Sequence, residues 1–474
     1  MVDPDPSEDM LAGLEEFLEA ELRPYRTELP VYKRLPGKGI SRVDILSQIR
    51  TMARREEPKW KDGFVSGAVY NGDSSHIGFL NEVYGLNSQL NPLHPDIWPS
   101  AIKYDAEVVA MTASLFGGGE GGLASVAGTI SSGGTESIFL AMRAYRDWAR
   151  SEKGIAEPQI VAPRSAHAAF LKAAQILDIE FVEVGLAPDF RVDPSALAAA
   201  VTDRTAVIVG SAPSFPHGLI DPIDELSQIA VDRGVGLHVD CCLGGFVVPF
   251  ARRLGADVPP FDFTLPGVTS ISADTHKFGY AAKGTSVILY RNRNLRRYQM
   301  FTTADWMGGL YYSPTIAGSR PGALSAEAWA AMLSFGEEGY MQATKAILGA
   351  GQVIKDGISS IESLRVLGNP LWVVAFTSDE LDIYAVSDRM TARGWSLNGL
   401  QDPAAVHICV TLRHTQPGVA ERFLADLEAS VAEVRSSPGS VGVMTPIYGL
   451  AGNVATRGEV AEILFRYADV QFKV

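Results

Sequence analysis

Cysteine is nearly absent: Cys241, Cys242 and Cys409 are the only three in 474 residues. Two are adjacent and none falls at metal-ligand spacing, which argues against a disulfide framework and against a cysteine-based zinc site. They read as three reduced, mostly buried thiols in a reducing compartment. No apolar run approaches the ~18 residues of a membrane-spanning helix. The opening Met1-Val2-Asp3-Pro4-Asp5 is acidic and lacks the basic-then-apolar pattern of a secretory signal. A cytoplasmic location without a stable membrane anchor is therefore expected. Positive charge is also short: 41 Lys and Arg against 55 Asp and Glu leave a net charge of −14. An acidic surface argues against a nucleic-acid partner and does not favour an anionic membrane. Internal repeats and low-complexity tracts are missing too.

What is present is a globular composition, 46% hydrophobic and 20% charged, over a length that suits two or three domains and a large core. Leu11, Leu14, Phe17, Leu18 and Leu22 recur at helical spacing. A first helix with one apolar face is expected there, docked on its own domain or on a partner subunit. Pro24, Pro30 and Pro36 then interrupt the pattern, and residues 1–60 read as an N-terminal helical arm. From about residue 105 helical and strand patterns alternate. Helices are expected at Glu107–Phe116, Thr135–Arg150, Ala166–Leu177 and Ile223–Arg233. Strands are expected at Gln159–Ala162, Glu180–Val184, Ala206–Val209, Gly236–Val239, Val268–Ile271 and Ser286–Tyr290. Such alternation implies βαβ units, hence an α/β large domain over residues 61–335 with a mainly parallel central sheet flanked by helices. After Arg320-Pro321-Gly322 come helical patterns at Ser325–Phe335 and Tyr340–Ile354, strands at Leu371–Thr377 and Val406–Leu412, and a helix at Gly418–Arg435. These give a smaller C-terminal α+β domain over residues 336–474.

Ligands of such sheets bind beyond the carboxyl ends of the strands. Asp240 ends the strand Gly236–Val239, and Lys277 follows the strand near Ile271 within Ser272-Ala273-Asp274-Thr275-His276-Lys277-Phe278-Gly279. Both open into one crevice. A lone lysine is usually a solvated surface charge, but one held in an apolar crevice loses pKa and becomes a nucleophilic amine. A carboxylate ending a buried strand needs a cationic partner, because an isolated buried charge is costly; a helix cap or ion pair is the plain alternative. Ser131-Ser132-Gly133-Gly134-Thr135-Glu136-Ser137 opens a long helix, where glycines and free N–H groups suit an anion, although Ser and Thr also simply cap helices. His167 starts another helix after a strand; it is either a cap or a flat ring that stacks on a cofactor. Taken together these residues suit pyridoxal 5′-phosphate (PLP). Lys277 would form its Schiff base, Asp240 would pair with its pyridine nitrogen and keep the ring an electron sink, and the Gly134-Thr135 turn would hold its phosphate.

Several further segments carry a more specific likeness: Val65 to Tyr70, Asn91-Pro92-Leu93-His94-Pro95-Asp96, Phe215-Pro216-His217-Gly218, His238 to Phe246 and Ala317-Gly318-Ser319-Arg320-Pro321-Gly322. With the motifs above, they make the chain resemble the PLP-dependent fold type I (PLP-dependent transferase-like) enzymes of the group II decarboxylase superfamily. Within that group it is similar to the sphingosine-1-phosphate lyase family, in its shorter bacterial form without the membrane anchor of eukaryotic members. The likeness runs from about Val65 to about Tyr340 and fades in the C-terminal domain. It implies that Lys277 carries the cofactor, that His167 stacks on it, and that Gly134, Thr135 and His276, with Ser319 from a neighbouring subunit, hold its phosphate. It further implies that Tyr70, Asn91, His94, Lys283 and Arg320 surround the substrate phosphate and reacting carbons, with Lys277, Tyr70 and His167 as the catalytic set.

The activity implied is retro-aldol cleavage of sphingosine 1-phosphate or sphinganine 1-phosphate to phosphoethanolamine and a long-chain aldehyde, in a homodimer whose active site lies at the interface. The base for the C3 hydroxyl stays open among Tyr70, a histidine and the cofactor phosphate. An amino-acid decarboxylase, which would need a site for an α-carboxylate, is the alternative enzyme. A PLP-binding protein without catalysis is the alternative of another class.

Overall fold

Thr205–Ser211 shows why a covered sheet forms: its Thr-Ala-Val-Ile-Val-Gly-Ser run has β-branched residues at its centre and is buried along its whole length, as a strand packed on both faces must be. In the computed structural model, which describes residue 19 and residues 22–119, 122–437 and 457–473, this strand is the fourth of seven in one sheet. The others are β1 (Ala127–Ser131), β2 (Gln159–Pro163), β3 (Glu180–Val184), β5 (Gly236–Asp240), β6 (Ser270–Ala273) and β7 (Ser286–Tyr290), with Thr205–Ser211 as β4. The order across the sheet is β1-β7-β6-β5-β4-β2-β3. The pairs β2–β3, β2–β4, β4–β5 and β5–β6 are parallel, and β7 runs antiparallel to both β6 and β1. The expected mainly parallel α/β architecture is the one observed. One edge of the sheet therefore collects the ends of β1, β2, β5 and β6 together with the start of β7.

Helices pack on this sheet through apolar stripes. The helix Gly134–Lys153 buries Ile138, Leu140, Ala141, Met142, Ala144, Tyr145 and Ala149 and stops at Gly154, whose φ of 69° closes a left-handed C-terminal turn. Ile138 and Leu140 are at most 1% exposed within the cluster that also holds Phe170 and Val207. Truncating either to alanine should cost about 2–5 kcal/mol, which a denaturant melt of the variant would show. Behind the site edge a chain of buried hydroxyls ties three strands to this helix. Ser131 Oγ lies 2.7 Å from Ser137 Oγ, Ser137 Oγ lies 2.8 Å from Ser286 Oγ, and Ser286 Oγ donates to Ala273 O at 3.2 Å.

The two long helices expected after residue 322 are both present within Gly322–Ser360 and meet at Gly336, where φ 57° and ψ −178° leave the helical region. The apolar face expected from Leu11, Leu14, Phe17 and Leu18 lies outside the described residues. The described residues fall into two compact units, one within 66–376 with 407–424, the other within 19–65 with 377–406, 425–437 and 457–473. Within the second unit, the helix Arg42–Lys61 has no buried residue, and Phe64 stacks obliquely on Trp395 with ring centres 4.9 Å apart. A two-stranded sheet (Phe301–Thr303 with Tyr311–Ser313) and a four-stranded one complete the structure.

Candidate active site

All the candidate site residues lie in the unit built on the seven-stranded sheet. Gly134 and Thr135 follow β1, His167 follows β2, Asp240 ends β5, and His276, Lys277 and Lys283 lie on the connection from β6 to β7. The edge therefore brings the cofactor candidates together, as the ends of neighbouring strands must.

Asp240 is 7% exposed and its Oδ1 accepts two bonds, from Cys242 N–H at 2.9 Å and Ser272 Oγ at 3.2 Å. Burial alone would raise its pKa. The bonds from Cys242 and the nearby His167 and His238 outweigh that and hold the carboxyl below its ordinary value. His238 braces the same group from beneath. Its ring nitrogens lie 2.7 Å from Ser270 Oγ and 3.2 Å from Ser272 Oγ, and burial lowers its pKa to about 4, so it is neutral. His167 is exposed beside this carboxylate; its Nδ1 accepts Ala169 N–H at 3.1 Å, and its ring meets Phe215 edge-on. That fixes the ring plane while leaving a face open.

Lys277 is not the depressed amine that an apolar crevice suggests. Its Nζ lies 2.9 Å from Asp274 Oδ2, a carboxylate 1% exposed. Burial pulls the lysine down, but Asp274, with Cys242 and Tyr70 close by, holds it above the ordinary lysine value. The ammonium is thus stored as one half of an ion pair. Asp274 also lies 3.6 Å from His276 Nε2, and its Oδ1 is buried with no hydrogen-bond partner. Asp274 was visible in the Lys277 motif, but nothing in a sequence says that its carboxylate turns inward. His276 Nδ1 accepts Thr285 N–H at 3.2 Å, and burial lowers its pKa.

Lys283 places its Nζ 4.3 Å from the centre of the Tyr70 ring and 3.4 Å from His276 O. Its side chain reaches solvent, yet protein crowds the ammonium end; burial first, then the charge of Lys277, lowers it to about 8. Tyr70 packs edge-on against Phe278, 4.8 Å between ring centres, and burial pushes its phenol up. A proton on Tyr70 is therefore held firmly.

The remaining candidates form a second group. Asn91 Nδ2 donates to Ser319 Oγ at 3.1 Å, and Arg320 pairs with Asp105 through Nη2 while Nη1 reaches Ser325 Oγ at 3.4 Å. His94 is exposed, its ring 6.5 Å from that of Trp98. Among the described residues no hydrogen bond or ion pair joins Asn91, His94 or Arg320 to the Lys277 group.

The residues at the strand ends fit PLP. A Cβ on Gly134 would stand 2.9 Å from both Asp274 oxygens and from Cys242 Sγ, and one on Gly133, at φ 152°, would stand 3.3 Å from His276 Cε1. Side chains there would fill the cradle at the start of the helix. A lysine amine, a strand-end carboxylate that stays ionised and an exposed imidazole complete the set.

Comparison with known proteins agrees. Residues 34–376 match the pyridoxal-dependent decarboxylase conserved domain. Sphingosine-1-phosphate lyase from Arabidopsis thaliana is 45% identical, over 98% of this chain and 87% of that one. The solved sphingosine-1-phosphate lyase of Burkholderia pseudomallei superposes with a TM-score of 0.88 at 44% identity, covering 95% of this chain and 99% of that one. A glutamate decarboxylase from Lactobacillus brevis, at 19% identity, TM-score 0.74 and coverage of 87% and 97%, shares the fold alone. The chain belongs to the pyridoxal-dependent decarboxylase family and, within it, to the sphingosine-1-phosphate lyases.

Proposed function

We propose that this protein is a PLP-dependent aldehyde-lyase that cleaves the C2–C3 bond of a phosphorylated long-chain base, sphingosine 1-phosphate or sphinganine 1-phosphate. The products are phosphoethanolamine and a long-chain aldehyde. The observation that carries this reading is the placement of Lys277 and Asp240 at adjacent strand ends in a chain that also keeps the Asn91, Ser319 and Arg320 elements. When bound, PLP supplies the electron sink for the pair released at C2.

The protein's own residues divide the remaining work. Lys277 would hold the cofactor and, once freed by the substrate amine, would be the group placed to return a proton to C2. Asp240 would pair with the pyridine nitrogen and keep it protonated, and His167 would stack on the ring. Gly134, Thr135 and His276, with Ser319 from a neighbouring subunit, would hold the cofactor phosphate. Tyr70, Asn91, His94, Lys283 and Arg320 take the substrate phosphate and orient the C3 hydroxyl. Anchoring a dianion far from the scissile bond converts remote binding energy into alignment. Asp105 presets the Arg320 fork for that task.

Product analysis tests the reading directly. PLP-loaded protein is given sphinganine 1-phosphate and, separately, glutamate and the aromatic amino acids, and products are read by mass spectrometry. Phosphoethanolamine with a long-chain aldehyde is expected. Carbon dioxide and an amine from an amino acid would overturn the lyase reading and leave the cofactor grip standing.

Two results should accompany it. Arg320→Ala should raise KM for the phosphorylated substrate by roughly 10- to 100-fold, the loss of a charged hydrogen bond worth about 1.5–3 kcal/mol; an unchanged KM removes Arg320 from the phosphate site. A Lys283 ammonium that contacts phosphate is charged below about 8 and lost above it. Hence kcat/KM should fall as pH rises through that value, and Lys283→Arg should flatten this limb.

We further propose a homodimer. Trp306, Met307, Leu310 and Tyr312 are all exposed on the hairpin that leads into the Ser319 segment, an apolar surface of the kind that subunits cover. Sedimentation showing a fully active monomer would contradict it. None of the described helices is long and apolar enough to cross a membrane. The three free, buried cysteines suit the cytoplasm that we propose as its compartment.

A further inference from the structure

Glu136 sits in the first turn of the helix Gly134–Lys153, and the scheme above gives it no task. Its carboxylate is shared between two backbone donors. Oε2 accepts Ser132 N–H at 2.6 Å, and Oε1 accepts Ile316 N–H at 2.7 Å. The first donor belongs to the turn that presents Gly134 and Thr135. The second opens the segment that carries Ser319 and Arg320. The far end of that segment is held separately, by Asn91 Nδ2 on Ser319 Oγ at 3.1 Å and by Gly322 N–H on Leu90 O at 2.9 Å. Its middle is held by Thr315 Oγ1 on Ala317 O at 2.8 Å.

A glutamate that served only its own helix would bond back to the residue at the helix start. Glu136 does something close to that with one oxygen and spends the other on a residue 180 positions away. Both bonds have the short donor–acceptor distances of charge-assisted contacts. A carboxylate at this place would repel a phosphate, so its value lies in bracing the backbone that meets one.

We infer that Glu136 is a positioning residue that registers the cofactor-phosphate turn against the segment bearing Ser319 and Arg320. Cofactor retention and recognition of the substrate phosphate then depend on one carboxylate. The inference rests on the PLP-lyase reading above, with those residues in the roles given there.

The test uses the full-length protein and its Glu136→Gln variant, in which one oxygen is replaced by an NH2 group that faces a backbone N–H. PLP affinity is measured by titrating apoprotein and following protein fluorescence, a readout independent of turnover. KM and kcat are measured with sphinganine 1-phosphate. The PLP dissociation constant and KM should each rise by about 10-fold or more, as expected for lost charged hydrogen bonds, with kcat changed much less. Adding Ser319→Ala to Glu136→Gln should raise the PLP dissociation constant little beyond the larger single effect, because a displaced Ser319 has nothing left to lose. Glu136→Asp, which keeps the charge but shortens the reach, should also raise both constants, and it serves if the glutamine variant does not fold. Unchanged PLP affinity and KM in the variants, or additive effects with Ser319→Ala, overturn the brace while wild-type binding and cleavage leave the lyase reading intact. A wild-type protein that neither binds PLP nor cleaves the substrate overturns both.

Discussion

Replacing Lys277 by alanine will abolish turnover, with a loss on the order of 10³-fold or more, because one side chain is both the attachment point for the cofactor and the local proton carrier. The visible absorbance of a lysine-bound PLP should vanish with it. The alanine variant carries a second effect that the ion pair makes calculable. Asp274 is 1% exposed and its Oδ1 already lacks a partner, so removing the ammonium 2.9 Å from Oδ2 strands a buried carboxylate. Removing one partner of a buried pair costs about 3–5 kcal/mol; here Lys277 is itself partly exposed, so the lower end applies. Lys277→Arg separates the two effects. A guanidinium can pair with Asp274 yet forms no Schiff base, so this variant should melt close to wild type and be equally inactive. Retained turnover in either variant would end the assignment of Lys277.

Asp240→Asn comes next in size. The amide keeps an oxygen for the Cys242 N–H and Ser272 Oγ donors, so the fold and the strand end should survive. What is lost is the negative charge that holds a proton on the ring nitrogen. Turnover should fall by about 10²- to 10⁴-fold, the range seen when a positioned electrostatic or acid–base group is removed, while PLP still binds. Stopped-flow absorbance should then show substrate entering normally and chemistry slowed. A variant with wild-type kcat would mean that Asp240 is only a cap for the Cys241–Cys242 turn.

How far a sequence reveals such a site depends on whether the signal is local. β3 and β7 and the helix Ile223–Arg233 have the bounds that the sequence pattern predicts, because each is a short patterned run between turn residues. β1, Ala-Gly-Thr-Ile-Ser, escapes such reading because two small residues dilute its apolar content. The helix Arg42–Lys61 escapes it because no residue of it is buried. Asp240 and Lys277 stand out because strand ends and motif spacing are local features. The ion pair of Lys277 with Asp274 and the crowding that lowers Lys283 are not, since both depend on how the β6–β7 connection folds back on itself. The bond from Glu136 to Ile316 spans 180 positions, beyond any periodicity.

That same connection sets how the catalytic amine behaves once it is released. β6 and β7 stay paired as far as Ala273 and Val287. Between them the connection is stapled by Thr275 Oγ1 to Thr285 Oγ1 at 2.8 Å and His276 N–H to Thr285 O at 3.3 Å. Lys277 therefore hangs from a tether pinned at both ends and cannot drift from its place of work. Even a short flexible tether gives a local concentration in the millimolar range, and a stapled one gives more. The return of Lys277 at the end of each catalytic cycle is therefore an intramolecular event, with a local concentration set by the tether and not by the solution.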